Sequence, residues 1–142
     1  MKDYDPNYKQ VTVNAVVGGK AVVFDKTGSI LILRRSDKCT RAGGWDFPGG
    51  GLDYGEDPLQ GVIREIEEEA SLQVTDLKPI DVISSISTSN EFIVTIGYKA
   101  VATSNTVQLS WEHDQFKWVS KEEALNLELP PMHRRFLKYA LE

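Results

Sequence analysis

Residues 50–72 read GGLDYGEDPLQGVIREIEEEASL, and the rest of the chain is best read outward from them. Asp57 is placed to cap a helix, Pro58 suits the first helical position, and Gln60 stands where a capping box takes an amide. A helix is expected over Pro58 to Ala70. At about 100° per residue, Leu59, Val62, Ile63, Ile66 and Ala70 share one stripe, the predicted core face. Glu65, Glu68 and Glu69 share a separate arc, and Glu67 lies off it. Glutamates spaced i, i+3 and i+4 repel one another, so helix stability does not ask for them. A hard divalent cation does, because Mg²⁺ takes oxygen ligands and carboxylates on adjacent turns can converge on it. The plainer alternative is a solvated, glutamate-rich face. Gly49-Gly50-Gly51 argues against it, since glycine lets backbone come close to a ligand with no Cβ in the way.

The surrounding composition narrows the class. The chain has 142 residues, a formal net charge of −5 and 41% hydrophobic residues, which suits a single globular domain over 1–142. The acidity is local: residues 53–69 hold Asp53, Glu56, Asp57, Glu65, Glu67, Glu68 and Glu69 against Arg64 alone. A pI near 5.1 argues against a general nucleic-acid-backbone binder, so no stable nucleic-acid partner is expected. Cys39 is the only cysteine, which leaves no internal disulfide, and no activating pattern surrounds it. The polar N-terminus does not resemble a signal peptide, and no apolar run reaches the ~20 residues of a spanning helix. A cytoplasmic location with no membrane partner is expected.

Strand signals dominate elsewhere. Val11 to Phe24 reads as two strand segments bent at Gly18-Gly19, followed by turn residues Asp25 to Gly28 and a hairpin partner at Ile30 to Leu33. Residues 36–55 read as loop. Val74 to Leu77, Ile80 to Ser87, Phe92 to Ala102 and Gln115 to Val119 read as further strands. Ser120 and Glu123 form a capping box for a short helix, and Pro131 to Leu141 reads as a terminal helix with Phe136, Leu137 and Ala140 inward. The fold class is therefore α/β in the broad sense (α+β), a mixed sheet flanked by helices.

Residues 50–72 resemble the signature of the Nudix hydrolase family, G-x5-E-x7-R-E-U-x-E-E-x-G-U, where U is bulky and apolar. Gly50, Glu56, Arg64, Glu65, Ile66, Glu68, Glu69 and Leu72 match in register, and Ser71 stands where the family usually has Gly. A chance match at the six Gly or charged positions is on the order of 10⁻⁷ per starting position, from average residue usage. Phe47-Pro48-Gly49-Gly50 and the later Trp-Val strand also suit the family. The resemblance implies the Nudix fold, a mixed β-sheet sandwiched between α-helices. It implies hydrolysis of a nucleoside diphosphate linked to a group X, with Mg²⁺ or Mn²⁺. Gly50, Glu65, Glu68 and Glu69 would be the metal ligands. Arg64 would orient a box glutamate, and Glu56 would lie near the metals or pair with Arg64. The general base would be Glu112 or a box glutamate, Glu65 or Glu68. The favoured substrate is a small nucleotide, a nucleoside triphosphate or a modified one. A nucleotide sugar, a dinucleoside polyphosphate and an RNA cap are alternatives, as is a non-catalytic nucleotide sensor. Family members are often dimers, so a homodimer is also implied.

Other residues carry weaker signals. Arg34, Arg35, Lys38 and Arg41 form a basic cluster, and Arg34 or Arg35 suits a substrate phosphate. Strand alternation lets only one of that pair face a pocket. Trp45, Tyr54, Phe92 and Tyr98 are candidates for base stacking, with packing at a strand start favoured for Trp45 and a core role for Phe92 and Tyr98. Trp111 and Trp118 are expected to be structural. His113 and His133 are too isolated for a histidine metal site, and His113 is expected in solvent.

Overall fold

The computed structural model describes residues 1–142. Seven strands form one mixed sheet, in which β1 (Val16–Phe24) runs parallel to β6 (Phe92–Ala102) and every other pairing is antiparallel. The central order is β3 (Trp45–Asp46), β2 (Ile30–Arg35), β1, β6 and β5 (Val74–Ile86). Strand β4 (Gly49–Gly51) pairs with β1, and β7 (His113–Val119) pairs with β2. Helix α1 (Pro58–Ala70) covers one face, packing Val62, Ile66 and Ala70 against Ala21, Val23 and Tyr98. Helices α2 (Lys121–Asn126) and α3 (Pro131–Ala140) cover the other, packing Ala124, Phe136 and Leu137 against Val22, Ile30 and Ile32. No helix is long and apolar enough to cross a membrane.

Several expectations change here, each for a physical reason. Strand β1 begins at Val16, not Val11, and runs unbroken through Gly18-Gly19 in register with β6. Those glycines admit a neighbouring strand rather than a bend. Gly18, Gly19 and Lys20 pair with Gly51, Gly50 and Gly49, so the glycine run inside the expected 36–55 loop is strand β4. Gly49 has φ 147°, and a Cβ there would lie 2.0 Å from the Gly19 carbonyl oxygen, so no other residue fits. The two expected strands at 74–77 and 80–87 are one strand, β5, whose register shifts twice around Lys78 and Pro79.

The α1 stripe also differs. Asp57 caps the helix by accepting from the Leu59 and Gln60 amides, but Gln60 makes no reciprocal bond. Leu59 is exposed and Ile63 half-buried, while Glu69 is buried with Val62, Ile66 and Ala70. One glutamate of the acidic arc thus faces the protein interior. Tyr98 is core and Phe92 is exposed at its strand's start. Trp118 is structural, donating its indole N–H to the Asn105 carbonyl, but Trp111 is 66% exposed.

Candidate active site

Two elements bring the box together: β4, held against β1, and α1, packed over the same end of the sheet. They meet tightly at Gly50, where a Cβ would lie 2.6 Å from the Glu65 carboxyl carbon. Arg64 organises the acids around it. Its Nε and Nη2 donate to the two oxygens of Glu56 at 2.8 and 2.9 Å. Its Nη1 donates to Glu65 at 3.0 Å and to Glu68 at 3.2 Å, and Nη2 reaches the Gly51 carbonyl at 3.1 Å. Of the two placements implied for Glu56, the structure has the pairing with Arg64. That fork holds the Glu56 carboxyl down at about 2, helped by the Asp53 amide.

The remaining glutamates are pushed the other way. Burial raises Glu65 against the opposing pull of Arg64, and the negative charges of Glu68 and Glu112 add to the rise. Burial raises Glu69 to about 8, with Glu112, Asp46 and Glu65 reinforcing it and Lys20 opposing it. Glu69 Oε2 has no hydrogen-bond partner, and neither ring nitrogen of His113 has one. His113 is buried rather than solvated, with Nδ1 3.7 Å from Glu69 Oε2, and desolvation lowers its pKa.

The C-terminal end of α1 fixes the opposite wall. Its last carbonyls need partners, and a neighbouring segment supplies them. The Gln108 amide donates to Ala70 at 3.1 Å and the Ser110 amide to Glu69 at 3.2 Å. Ser71 adopts the left-handed conformation (φ 57°) that the family's glycine would take, and its hydroxyl donates to the Gln108 carbonyl at 3.0 Å. These bonds bring Glu112 to the box, close enough for its charge to act on Glu65 and Glu69.

Arg34 and Arg35 take different partners on either side of a register shift between β2 and β7. Arg34 pairs with Asp114 at 2.7 Å and stays partly exposed. Arg35 donates to Asp46 at 2.9 Å and to Thr40, so its guanidinium is already engaged. Asp46 escaped the sequence reading. It is fully buried and binds Lys20 (3.1 Å), Arg35 and His133 (2.5 Å). Burial alone would raise Asp46, but Lys20 and His133 outweigh it and hold the carboxyl far below its usual range. The nearby polar partners lie 26, 11 and 87 residues away in sequence, so no local pattern announces this cluster.

As arranged, no three acidic, histidine or cysteine side chains converge closely enough to hold an ion; Arg64 bridges Glu65 and Glu68 instead. The donor set nonetheless suits a hard cation. It is all oxygen, and it includes a buried carboxylate with an unpartnered oxygen that must otherwise keep a proton.

The chain belongs to the NUDIX domain family, whose model matches residues 16–140. It is 29% identical to the CTP pyrophosphohydrolase of Escherichia coli over 111 residues, covering 78% of this chain and 81% of that protein. It is 36% identical to the 8-oxo-dGTP diphosphatase of Proteus vulgaris over 63 residues, covering 44% of this chain and 56% of that protein. The chain thus spans little more than half the length of the latter relative. Among solved structures, the MutT protein of Methanosarcina mazei superposes with TM-score 0.75 at 28% identity, covering 91% of this chain and 94% of that one.

Proposed function

We propose that the protein is a metal-dependent pyrophosphohydrolase acting on a nucleoside triphosphate or a modified nucleotide. The observation that carries this reading is the box geometry: Gly50 lies against the Glu65 carboxyl while Arg64 holds Glu56, Glu65 and Glu68. Relatives named for CTP and 8-oxo-dGTP support the substrate class. In this reading Glu65, Glu68, Glu69 and the Gly50 carbonyl hold Mg²⁺ or Mn²⁺. The bound ion would neutralise phosphate charge and lower the pKa of water. The chain's own residues do the rest. Arg64 keeps the carboxylates oriented. Glu112 or a box glutamate, Glu65 or Glu68, accepts the proton of the attacking water, and the charges of Glu68 and Glu112 both act on Glu65. Arg34, partly exposed, is free to exchange Asp114 for a phosphate oxygen. The cytoplasm suits both the substrate and the lone thiol Cys39, and a homodimer is part of the same reading.

The test is phosphate and pyrophosphate release from a broad panel of nucleotides, RNA 5′ ends included, with Mg²⁺ or Mn²⁺. Wild type and Glu68→Gln are compared. Turnover by wild type and its loss in Glu68→Gln are expected. If no member of the panel is hydrolysed but one is bound, the protein is a nucleotide sensor. If Glu68→Gln keeps full activity, the metal site is misplaced.

A further inference from the structure

The α3 face of the sheet carries a feature that the hydrolytic site does not use. Where α3 ends at Ala140, a cavity of about 560 Å³ opens over the sheet, inside the size range of small-molecule sites. Phe24, Val101 and Ala140 give it an apolar lining, and Lys78, Lys99 and Asp76 supply the charge. It lies at the far end of β1 from Gly18, the residue paired with Gly51. Phe24 stands six positions along β1 from Gly18, about 20 Å at the usual rise.

Lys78 and Lys99 stand directly opposite one another on antiparallel strands. Like charges so placed destabilise a sheet. Lys78 is exposed, and Asp76, the one acid lining the cavity, leaves an excess of one positive charge there. Neither lysine forms an ion pair, and Asp81, the β5 acid on the other side of Lys78 from Asp76, is held by Arg135 through two bonds. Lys99 is half-buried. The arrangement is built by the backbone: the Lys78–Lys99 pair lies between two register shifts of β5, and Asp76, just before it, has φ 53°.

We propose that this cavity binds a small organic anion, a carboxylate or phosphate carried on an apolar body. The head group lies between Lys78 and Lys99, and the body rests on Phe24 and Val101. The anion neutralises the opposed lysines, and the apolar lining selects against free inorganic ions.

NMR amide titrations of the full chain with octanoate and with phenyl phosphate test this. At least one probe is expected to shift Lys78, Lys99, Val101 and Ala140 together, and which one binds tells carboxylate from phosphate. Lys78→Met and Lys99→Met keep the apolar stems. Each should weaken binding at least tenfold and, without probe, melt no lower than wild type, with box-dependent turnover retained as the sign of folding. The proposal is overturned if neither probe moves these amides into the millimolar range, or if the shifts persist unchanged in Lys99→Met. It is also overturned if the two variants instead abolish a concentration-dependent self-association, which would make this face an interface between copies.

Discussion

Arg64 Nε and Nη2 meet the two oxygens of Glu56 in a fork, at 2.8 and 2.9 Å, and the same guanidinium reaches Glu65 and Glu68. Lysine offers one point charge and cannot span three carboxylates. With the proposed metal ligands, Arg64→Lys should therefore lower turnover about ten- to hundredfold, the usual cost of losing a group that orients such ligands. Half-maximal activity should need a higher Mg²⁺ concentration in the same variant. Full activity with unchanged Mg²⁺ dependence would remove Arg64 from this role.

Glu69 links the site to pH. Its carboxyl titrates near 8 in the folded protein against 4.5 in the unfolded chain. Between those values the folded state holds the extra proton, so the metal-free protein loses stability as pH rises. Glu69→Gln removes that loss. It should raise the melting temperature at pH 8 by at least about 3 °C, the order produced by 1 kcal/mol in a chain of this size, and change little at pH 4. Equal effects at both pH values would contradict the assignment.

Ser71 sits in a conformation that favours glycine, yet its hydroxyl bonds Gln108. Ser71→Gly relieves the backbone and loses one bond, two terms of about 1 kcal/mol each that oppose. Its stability should stay within about 1 kcal/mol of wild type. Ser71→Ala keeps the strain and loses the bond, so it should be the least stable of the three in urea melts. Both variants should retain turnover; a clear loss in Ser71→Gly would give the hydroxyl a role in positioning Glu112.

Asp46 contributes stability through a depressed pKa. That contribution is complete above the ordinary aspartate value of 3.8 and is lost as pH falls through the lower folded value. Asp46→Asn leaves Lys20 and Arg35 facing a neutral amide in a buried setting, and should cost about 3 kcal/mol or more. Chemical denaturation at pH 7 measures this, and a cost near zero would show that the cluster is not a stabilising one.

The helix of the box was legible because its signals are local: a cap at Asp57, a proline at the first turn and charges at helical spacing. Those signals gave no account of which residues the helix would face. Glu69 looked like its neighbours Glu65 and Glu68, but packing turned it inward beside His113. The same limit explains Asp46, whose partners come from β1, β2 and α3. Strand β4 was hidden because three glycines have no side-chain alternation to read; only the matching Gly18-Gly19 across the sheet explains them. Trp111 was expected to pack, yet it lies in a turn fixed by its neighbours' backbone bonds, which leaves its own side chain outside.

The bonds from Gln108 and Ser110 to the end of α1 constrain how such a chain can vary. Residues between Ala102 and Gln108 form a connection held to the rest of the chain at Thr103, at Asn105 and through Val107, but not to the box. The five residues from Gln108 to Glu112 cannot gain or lose a member, because one end is pinned to the helix and the other carries the carboxylate. An insertion before Gln108 should therefore cost stability before it costs turnover, and one between Gln108 and Glu112 should cost turnover directly.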